Sequence, residues 1–122
     1  SKAAKKLSEA QANMEQAKTF KVEVDGICQK LYMIQKVTNT ASELLSSVCG
    51  RLRRATDSLE EIINQSGVDF YMYNDKEQAA VFHAVKYAQL VKAIIDTPIL
   101  NKEGELLGNA SKNFSGIKAA LE

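Results

Sequence analysis

The side chains that could carry acid–base, metal or nucleophilic chemistry are few in this chain and widely spaced. His83 is the only histidine, and Lys86 and Tyr87 stand where a helical metal site would place a second ligand. No glycine-rich phosphate loop or dinucleotide fingerprint occurs, and no nucleophile lies in a known local signature. We therefore predict a protein that is not an enzyme, with no catalytic residue, no metal site and no cofactor.

A positive cluster is the next candidate for a binding site. It consists of Arg51, Arg53 and Arg54. An anion or nucleic-acid contact is one interpretation, but Asp57, Ser58 and Glu61 follow at helical spacing and could pair with the arginines on a solvated face. The whole chain has 16 Lys and Arg against 15 Asp and Glu. Because nucleic-acid and membrane-surface binding need a concentrated positive field, we expect neither partner.

A hydrophobic repeat of seven residues positions most of these side chains, and it runs to Ile62 without a proline. One seam position holds Ala17, Val24, Leu31, Thr38, Leu45, Leu52 and Leu59. The position three residues later holds Phe20, Ile27, Ile34, Ala41, Val48, Ala55 and Ile62. This spacing predicts a long coiled-coil-like helix over about residues 2–65. If continuous, that helix would be about 95 Å long.

Three places could interrupt the long helix. The Asp25-Gly26 pair lies in an alternating polar and apolar stretch that is typical of a hairpin. Thr40 and Glu43 have capping-box spacing, so a new helix could begin there. Gly50 lies among helix formers and only weakens the helix. The unbroken seven-residue register favours continuity at all three places.

Two shorter helices are predicted after a C-terminal cap at Gly67. The second spans about residues 75–96, because Asn74 and Glu77 form a capping box and Pro98 ends the segment. A turn follows over 101–104, and the third helix spans about 109–121. We expect the second helix to be the most buried. Its apolar face comprises Ala80, Val81, Ala84, Val85, Ala88, Val91 and Ile95, widened by Phe82 and Leu90.

These elements predict an all-α fold. In it the long N-terminal coiled-coil-like helix forms an antiparallel helical hairpin or bundle with the two shorter helices. The length suits a single helical domain over residues 1–122. Because the chain starts at Ser1 rather than Met, we expect it to be a fragment of a longer protein.

Composition also bears on the compartment. No stretch is apolar and long enough to cross a bilayer, and the N-terminus lacks a signal peptide, so a cytoplasmic location is favoured. Cys28 and Cys49 are 21 residues apart, or about 31 Å on one helix, so we expect buried free thiols. A disulfide would require the helix to fold back between them.

The C-terminal half carries a family-like pattern. It has a Gly-aliphatic-Asp-aromatic-Tyr run over Gly67–Tyr71, an Ala/Val-rich helix, and an Asp-Thr-Pro-aliphatic-aliphatic turn over Asp96–Leu100. In these features the sequence resembles a bacterial helical domain of unknown function. The resemblance implies the helical architecture and supplies no activity.

Function is therefore predicted as protein–protein interaction, through self-association (a possible homodimer) or a protein partner. The residues predicted to bind that partner are Leu7, Met14, Ala17, Phe20 and Val24, with Tyr71 and Tyr73 as a second choice. The alternative is a compact four-helix ligand-binding or sensor module, which needs a break near Thr40. Its pocket would be lined by Tyr32, Met33, Phe82 and Tyr87. An enzyme with an unfamiliar site around His83 is the third possibility.

Overall fold

The computed structural model describes residues 1–122 and is helical throughout, as the sequence predicts. Its elements are helix α1 (Lys2–Ser66), a 3₁₀ turn (Phe70–Met72), helix α2 (Asp75–Ile95) and helix α3 (Ala110–Leu121). Each helix bound lies within one residue of its sequence-based position. The chain divides into two compact units, Ser1–Gln35 and Lys36–Glu122. None of the helices is long and apolar enough to cross a membrane.

Helix α1 is uninterrupted at all three places where a break was considered. The capping-box interpretation of Thr40 is wrong, because its hydroxyl donates to the carbonyl oxygen of Lys36, 3.0 Å away, within the same helix. Such a hydrogen bond to the preceding turn occupies the group that would otherwise start a new helix. The structure has three helices, so the four-helix arrangement of the alternative interpretation is not formed.

The connection from α1 to α2 is organised by local hydrogen bonds. Gly67 takes a positive φ of 79° just after α1, a conformation that glycine adopts without strain. The Asp69 side chain accepts from the backbone N–H of Tyr71 and starts the 3₁₀ turn. The capping box predicted at Asn74 and Glu77 is confirmed, since each side chain accepts from the other residue's backbone N–H.

The hydrophobic core lies within residues 36–122, where all three helices contribute side chains. Its buried members are Val37, Leu44 and Val48 of α1, Ile94 of α2, and Ala110, Phe114 and Leu121 of α3. The seam prediction is partly wrong here, because seam residue Thr38 is exposed while its neighbour Val37 is buried. The buried residues of α1 therefore combine Val37 and Leu44, each one residue before a seam position, with the seam residue Val48.

Helix α2 is less buried than its sequence predicted. Its two buried residues are Ala84 and Ile94, whereas Val85, Ala88 and Ile95 are exposed. Helix α3 is just over half as long as α2 and buries three residues. The inward face of α2 follows positions 80, 84, 87, 91 and 94, which is one turn-by-turn helical row. The expectation that α2 is the most buried helix is therefore wrong.

The segment between α2 and α3 closes the core. The predicted turn is present: the Asn101 side-chain oxygen accepts from the backbone N–H groups of Glu103 and Glu105, and Gly104 has a positive φ of 78°. The backbone N–H of Leu107 donates to Ile99, 2.8 Å away. These hydrogen bonds join the segment before the turn to the segment after it. Helix α3 therefore starts beside α2, the helix that it approaches most closely.

Candidate functional site

The first candidate site is an exposed apolar face on residues 1–35 of α1, hereafter the N-terminal stripe. It comprises Leu7, Met14, Ala17, Phe20, Val24, Ile27 and Leu31. The larger side chains apart from Val24 are between 57% and 66% exposed, and Val24 is 38% exposed. The first five are the residues predicted to bind a partner. Their exposure leaves them available to one.

Charged residues flank the N-terminal stripe. Glu23 and Lys30 occupy the same position of the seven-residue repeat, one repeat apart. Neither forms an ion pair within the chain, and the one pair in this unit joins Lys18 to Glu15 on an exposed surface, 3.6 Å apart. The stripe is thus bordered by charges with no partner on the same helix.

A shallow depression of about 610 Å³ lies beside the stripe. It is lined by Asp25, Cys28, Gln29, Tyr32 and Met33. Two of the four side chains predicted to form a ligand pocket, Tyr32 and Met33, are therefore on its wall. The other two lie in the unit of residues 36–122, where the Phe82 ring packs edge-on against Phe70 and Tyr87 lines a different groove. The four-residue pocket depended on a break near Thr40, and α1 has none.

The aromatic loop after α1 divides into packed and exposed side chains. Phe70 is half-buried and makes edge-to-face contacts with Tyr71, Tyr73 and Phe82, with ring centroids 5.6–6.1 Å apart. The Tyr73 hydroxyl donates to the carbonyl oxygen of Gly67 over 2.6 Å. Tyr71 is 88% exposed and Met72 76%. Of the two tyrosines proposed as partner contacts, only Tyr71 presents most of its surface to solvent.

The arginine cluster does not make the ion pairs expected from its sequence. The two ion pairs of the structure are Lys18–Glu15 and Lys92–Asp96, so Arg51, Arg53 and Arg54 pair with neither Asp57 nor Glu61. The Ser58 hydroxyl donates to the backbone carbonyl of Arg54 instead. Arg53 and Arg54 are exposed, as a solvated face requires, but the predicted pairing along the helix is not formed.

Two of these arginines line a groove with residues of α2. The groove has a volume of about 420 Å³ and is lined by Arg51, Arg54, Ala55, Ser58, Ala80, His83 and Tyr87. Arg51 also donates to the carbonyl oxygen of Leu121 at the end of α3, 3.2 Å away. Sequence reasoning missed this site because it weighed each helix separately. A usable signal exists, since the lining residues of both helices include positions i, i+3 and i+7, which share one helix face: Arg51, Arg54 and Ser58 on α1, and Ala80, His83 and Tyr87 on α2.

The remaining chemistry-bearing residues stay apart. His83 is exposed and belongs to no group of His, Cys, Asp and Glu that could hold a metal ion. Cys28 and Cys49 are free thiols. The expectation that both are buried is wrong, because Cys28 is exposed and Cys49 is half-buried.

Comparisons with models of protein families, with curated proteins and with solved structures each find no match to this chain. The N-terminal stripe and the groove between α1 and α2 are therefore the features on which a function can be argued.

Proposed function

We propose that this protein is a non-enzymatic helical interaction domain whose N-terminal stripe binds a second copy of the same chain. The observation that carries the proposal is that large apolar side chains recur at coiled-coil spacing with much of their surface in water. Fully covering one such side chain contributes about 1.5–3 kcal/mol. An isolated helix is marginal in water, so pairing would also stabilise residues 1–35.

The charges beside the stripe favour an antiparallel pair. In a register centred between Val24 and Ile27, Glu23 of each copy faces Lys30 of the other, which gives two complementary ion pairs. A parallel pair would instead place Glu23 opposite Cys28 and Gln16 opposite Lys21. The parallel arrangement contains no pair of opposite charges, so electrostatic complementarity selects the antiparallel one.

The same antiparallel register matches the apolar side chains. Its layers pair Val24 with Ile27, Phe20 with Leu31, and Ala17 with Ile34, each occurring twice by symmetry. The two largest members, Phe20 and Leu31, meet each other, while the small Ala17 faces a β-branched residue. The next layer pairs Asn13 with Thr38, so polar residues end the apolar seam on both sides, with Met14 of the stripe beside the seam and Leu7 beyond it. A polar layer of this kind can fix register.

Residues 36–122 are the second compact unit, and the proposed association does not involve their core. We propose that the C-terminal part of α1 and α2 form an antiparallel hairpin with α3 packed across it. A connection of only eight residues, 67–74, supports a sharp return, and Ser66 hydrogen-bonds Glu77 across it. The exposed Tyr71 at this connection is a second surface to which a protein partner could bind.

Light scattering over a concentration series tests the proposal, and Val24→Asp and Val22→Asp form a matched pair for it. Both valines are exposed in the monomer, but Val24 lies on the seam and Val22 lies on the opposite face of the helix. The wild-type mass should rise toward a dimer. Val24→Asp should abolish the rise, because it places an unpaired charge between apolar layers, and Val22→Asp should leave it intact. A wild-type mass that stays monomeric at every concentration contradicts the proposal.

Charge exchange tests the register and the identity of the partner. Glu23→Lys should weaken association by about tenfold, or about 1.4 kcal/mol, because two attractions become repulsions. The double variant with Lys30→Glu should restore wild-type affinity. Because Glu23 and Lys30 are seven residues apart on one helix, they do not pair within a chain. If wild type forms a dimer but the double variant does not recover its affinity, the antiparallel register is excluded. Self-association through the N-terminal stripe is not.

A further inference from the structure

The groove between α1 and α2 concentrates hydrogen-bond donors without a carboxylate. Its walls carry Arg51 and Arg54 from α1 and His83 and Tyr87 from α2, and none of its lining residues is acidic. The chain as a whole is nearly neutral, with a net charge of +1. Arg51 and Arg54 therefore bring two positive charges to the lining of one groove, separate from the N-terminal stripe, and Arg51 also lines a neighbouring depression that includes Glu43 and Glu122.

Small residues create the groove. Ala55 on α1 and Ala80 on α2 line it, and neither has a side chain beyond its β-carbon. The longer side chains of Arg51, Arg54 and Tyr87 then stand around the space that the alanines leave. The result is a depression about 420 Å³ in volume, open to solvent and walled by charged and aromatic groups.

Arg51 is held by a hydrogen bond, and both arginines keep N–H donors available. Arg51 uses one N–H on the Leu121 carbonyl, and a guanidinium has five N–H donors in a planar fork. The Arg54 guanidinium lies back along α1, where a β-carbon on Gly50 would be 3.7 Å from its Nη1 atom. Neither arginine has an ion-pair partner. The Ser58 hydroxyl already donates to Arg54, so it adds no free donor.

We propose that this groove binds the phosphoryl group of a small phosphomonoester. A phosphate presents three terminal oxygens and up to two negative charges, which suits two guanidinium forks together with an imidazole N–H and a phenol O–H. A carboxylate has only two oxygens and is satisfied by one arginine. The volume exceeds that of a phosphate ion, and the Tyr87 ring and the two alanines offer an apolar wall to the group esterified to the phosphate.

Calorimetric titration of the whole chain with phenyl phosphate at low ionic strength tests the proposal. Arg54→Gln and Arg53→Gln are the decisive pair, because they change the net charge equally while only Arg54 lines the groove. Wild type should bind saturably, Arg54→Gln should bind at least tenfold more weakly, and Arg53→Gln should stay within about twofold of wild type. Both arginines are exposed, and a thermal melt of each variant without ligand checks that it is folded.

Inorganic phosphate and benzoate complete the experiment. If phenyl phosphate binds more tightly than inorganic phosphate, the ligand is an esterified phosphate. Equal affinities overturn the phosphomonoester assignment and indicate a site for free phosphate. Benzoate binding as tightly as phenyl phosphate overturns the phosphoryl assignment. Absence of saturable binding by wild type, or equal losses in Arg54→Gln and Arg53→Gln, overturns the site itself, since the latter result indicates unspecific attraction to a basic surface.

Discussion

The hydroxyl of Ser66, the last residue of α1, donates a hydrogen bond of 2.5 Å to the Glu77 carboxylate in the first turn of α2. The other carboxylate oxygen accepts from the backbone N–H of Asn74, the residue that caps α2. One carboxylate therefore joins the end of one helix to the beginning of the next. The hydrogen bond from Ser66, with the smaller contribution from Asn74, lowers the pKa of Glu77 from its ordinary value of 4.5.

The lowered pKa of Glu77 predicts an acid-sensitive link between α1 and α2. Because the folded pKa is below the unfolded one, the stabilisation is complete above about pH 4.5 and is lost as pH falls through the folded pKa. Glu77→Gln should remove this part of the pH dependence. Thermal melts from about pH 6 down to about pH 3 should therefore show a smaller loss of stability in the variant than in wild type.

Glu60→Gln provides the control for this prediction. Glu60 is an exposed carboxylate on α1 with no hydrogen bond or ion pair in the structure. Its replacement should leave the acid dependence of the melting temperature as in wild type. If Glu77→Gln and wild type lose stability in parallel as the pH falls, then the ionised form of Glu77 does not stabilise the fold.

Two glycines should respond with opposite sign to the same substitution. Gly50 is helical, and a β-carbon there would meet only Arg54 at an ordinary contact distance of 3.7 Å, so Gly50→Ala should stabilise by about 0.5–1 kcal/mol. Gly67 has a positive φ, so Gly67→Ala should destabilise by about 1 kcal/mol or more. Urea unfolding followed by circular dichroism measures both changes. A stabilising Gly67→Ala would contradict the left-handed cap at the end of α1.

Local signals account for the parts of the fold that the sequence predicted well. The capping box of Asn74 and Glu77 and the cap at Gly67 each depend on residues within four positions, so their chemistry is legible in the sequence. Thr40 shows where this fails. Its hydroxyl could accept from the backbone N–H of Glu43, as a helix cap, or donate to the Lys36 carbonyl within a continuing helix. Because α1 continues, the second hydrogen bond is the one formed.

Contacts between helices account for what the sequence did not predict. Val37 rather than Thr38 is buried, in a core cluster that also contains Phe114 from far along the chain. The groove arises because Arg54 and His83 come together from different helices. The periodicity of a single segment does not determine how that helix is rotated about its axis when it packs against another helix. The seven-residue repeat therefore predicted which helix exists and not which of its neighbouring residues turn inward.

Two phenylalanines should separate the core from the surface. Phe114 is 1% exposed, and Phe114→Ala should destabilise residues 36–122 by about 3–5 kcal/mol, through lost burial and the cavity left between α1 and α3. Phe82 is 62% exposed and keeps only an edge-on contact with Phe70, so Phe82→Ala should cost no more than about 1.5 kcal/mol. Chemical denaturation of both variants gives the comparison. Equal losses would mean that Phe114 does not centre the core.

Removal of the hydroxyl from each loop tyrosine should show which of the two stabilises the fold and which is only exposed on the surface. The Tyr73 hydroxyl donates to Gly67, so Tyr73→Phe should lower stability by about 0.5–1.5 kcal/mol. The Tyr71 hydroxyl has no hydrogen-bond partner in the chain and its ring is 88% exposed, so Tyr71→Phe should leave the melting temperature unchanged. Tyr71→Ala extends the comparison to the whole ring, since a partner bound at this loop would lose contact without any loss of folding stability. A large fall in melting temperature for Tyr71→Ala would instead make Tyr71 part of the packing around Phe70, and would remove it from the candidate partner contacts.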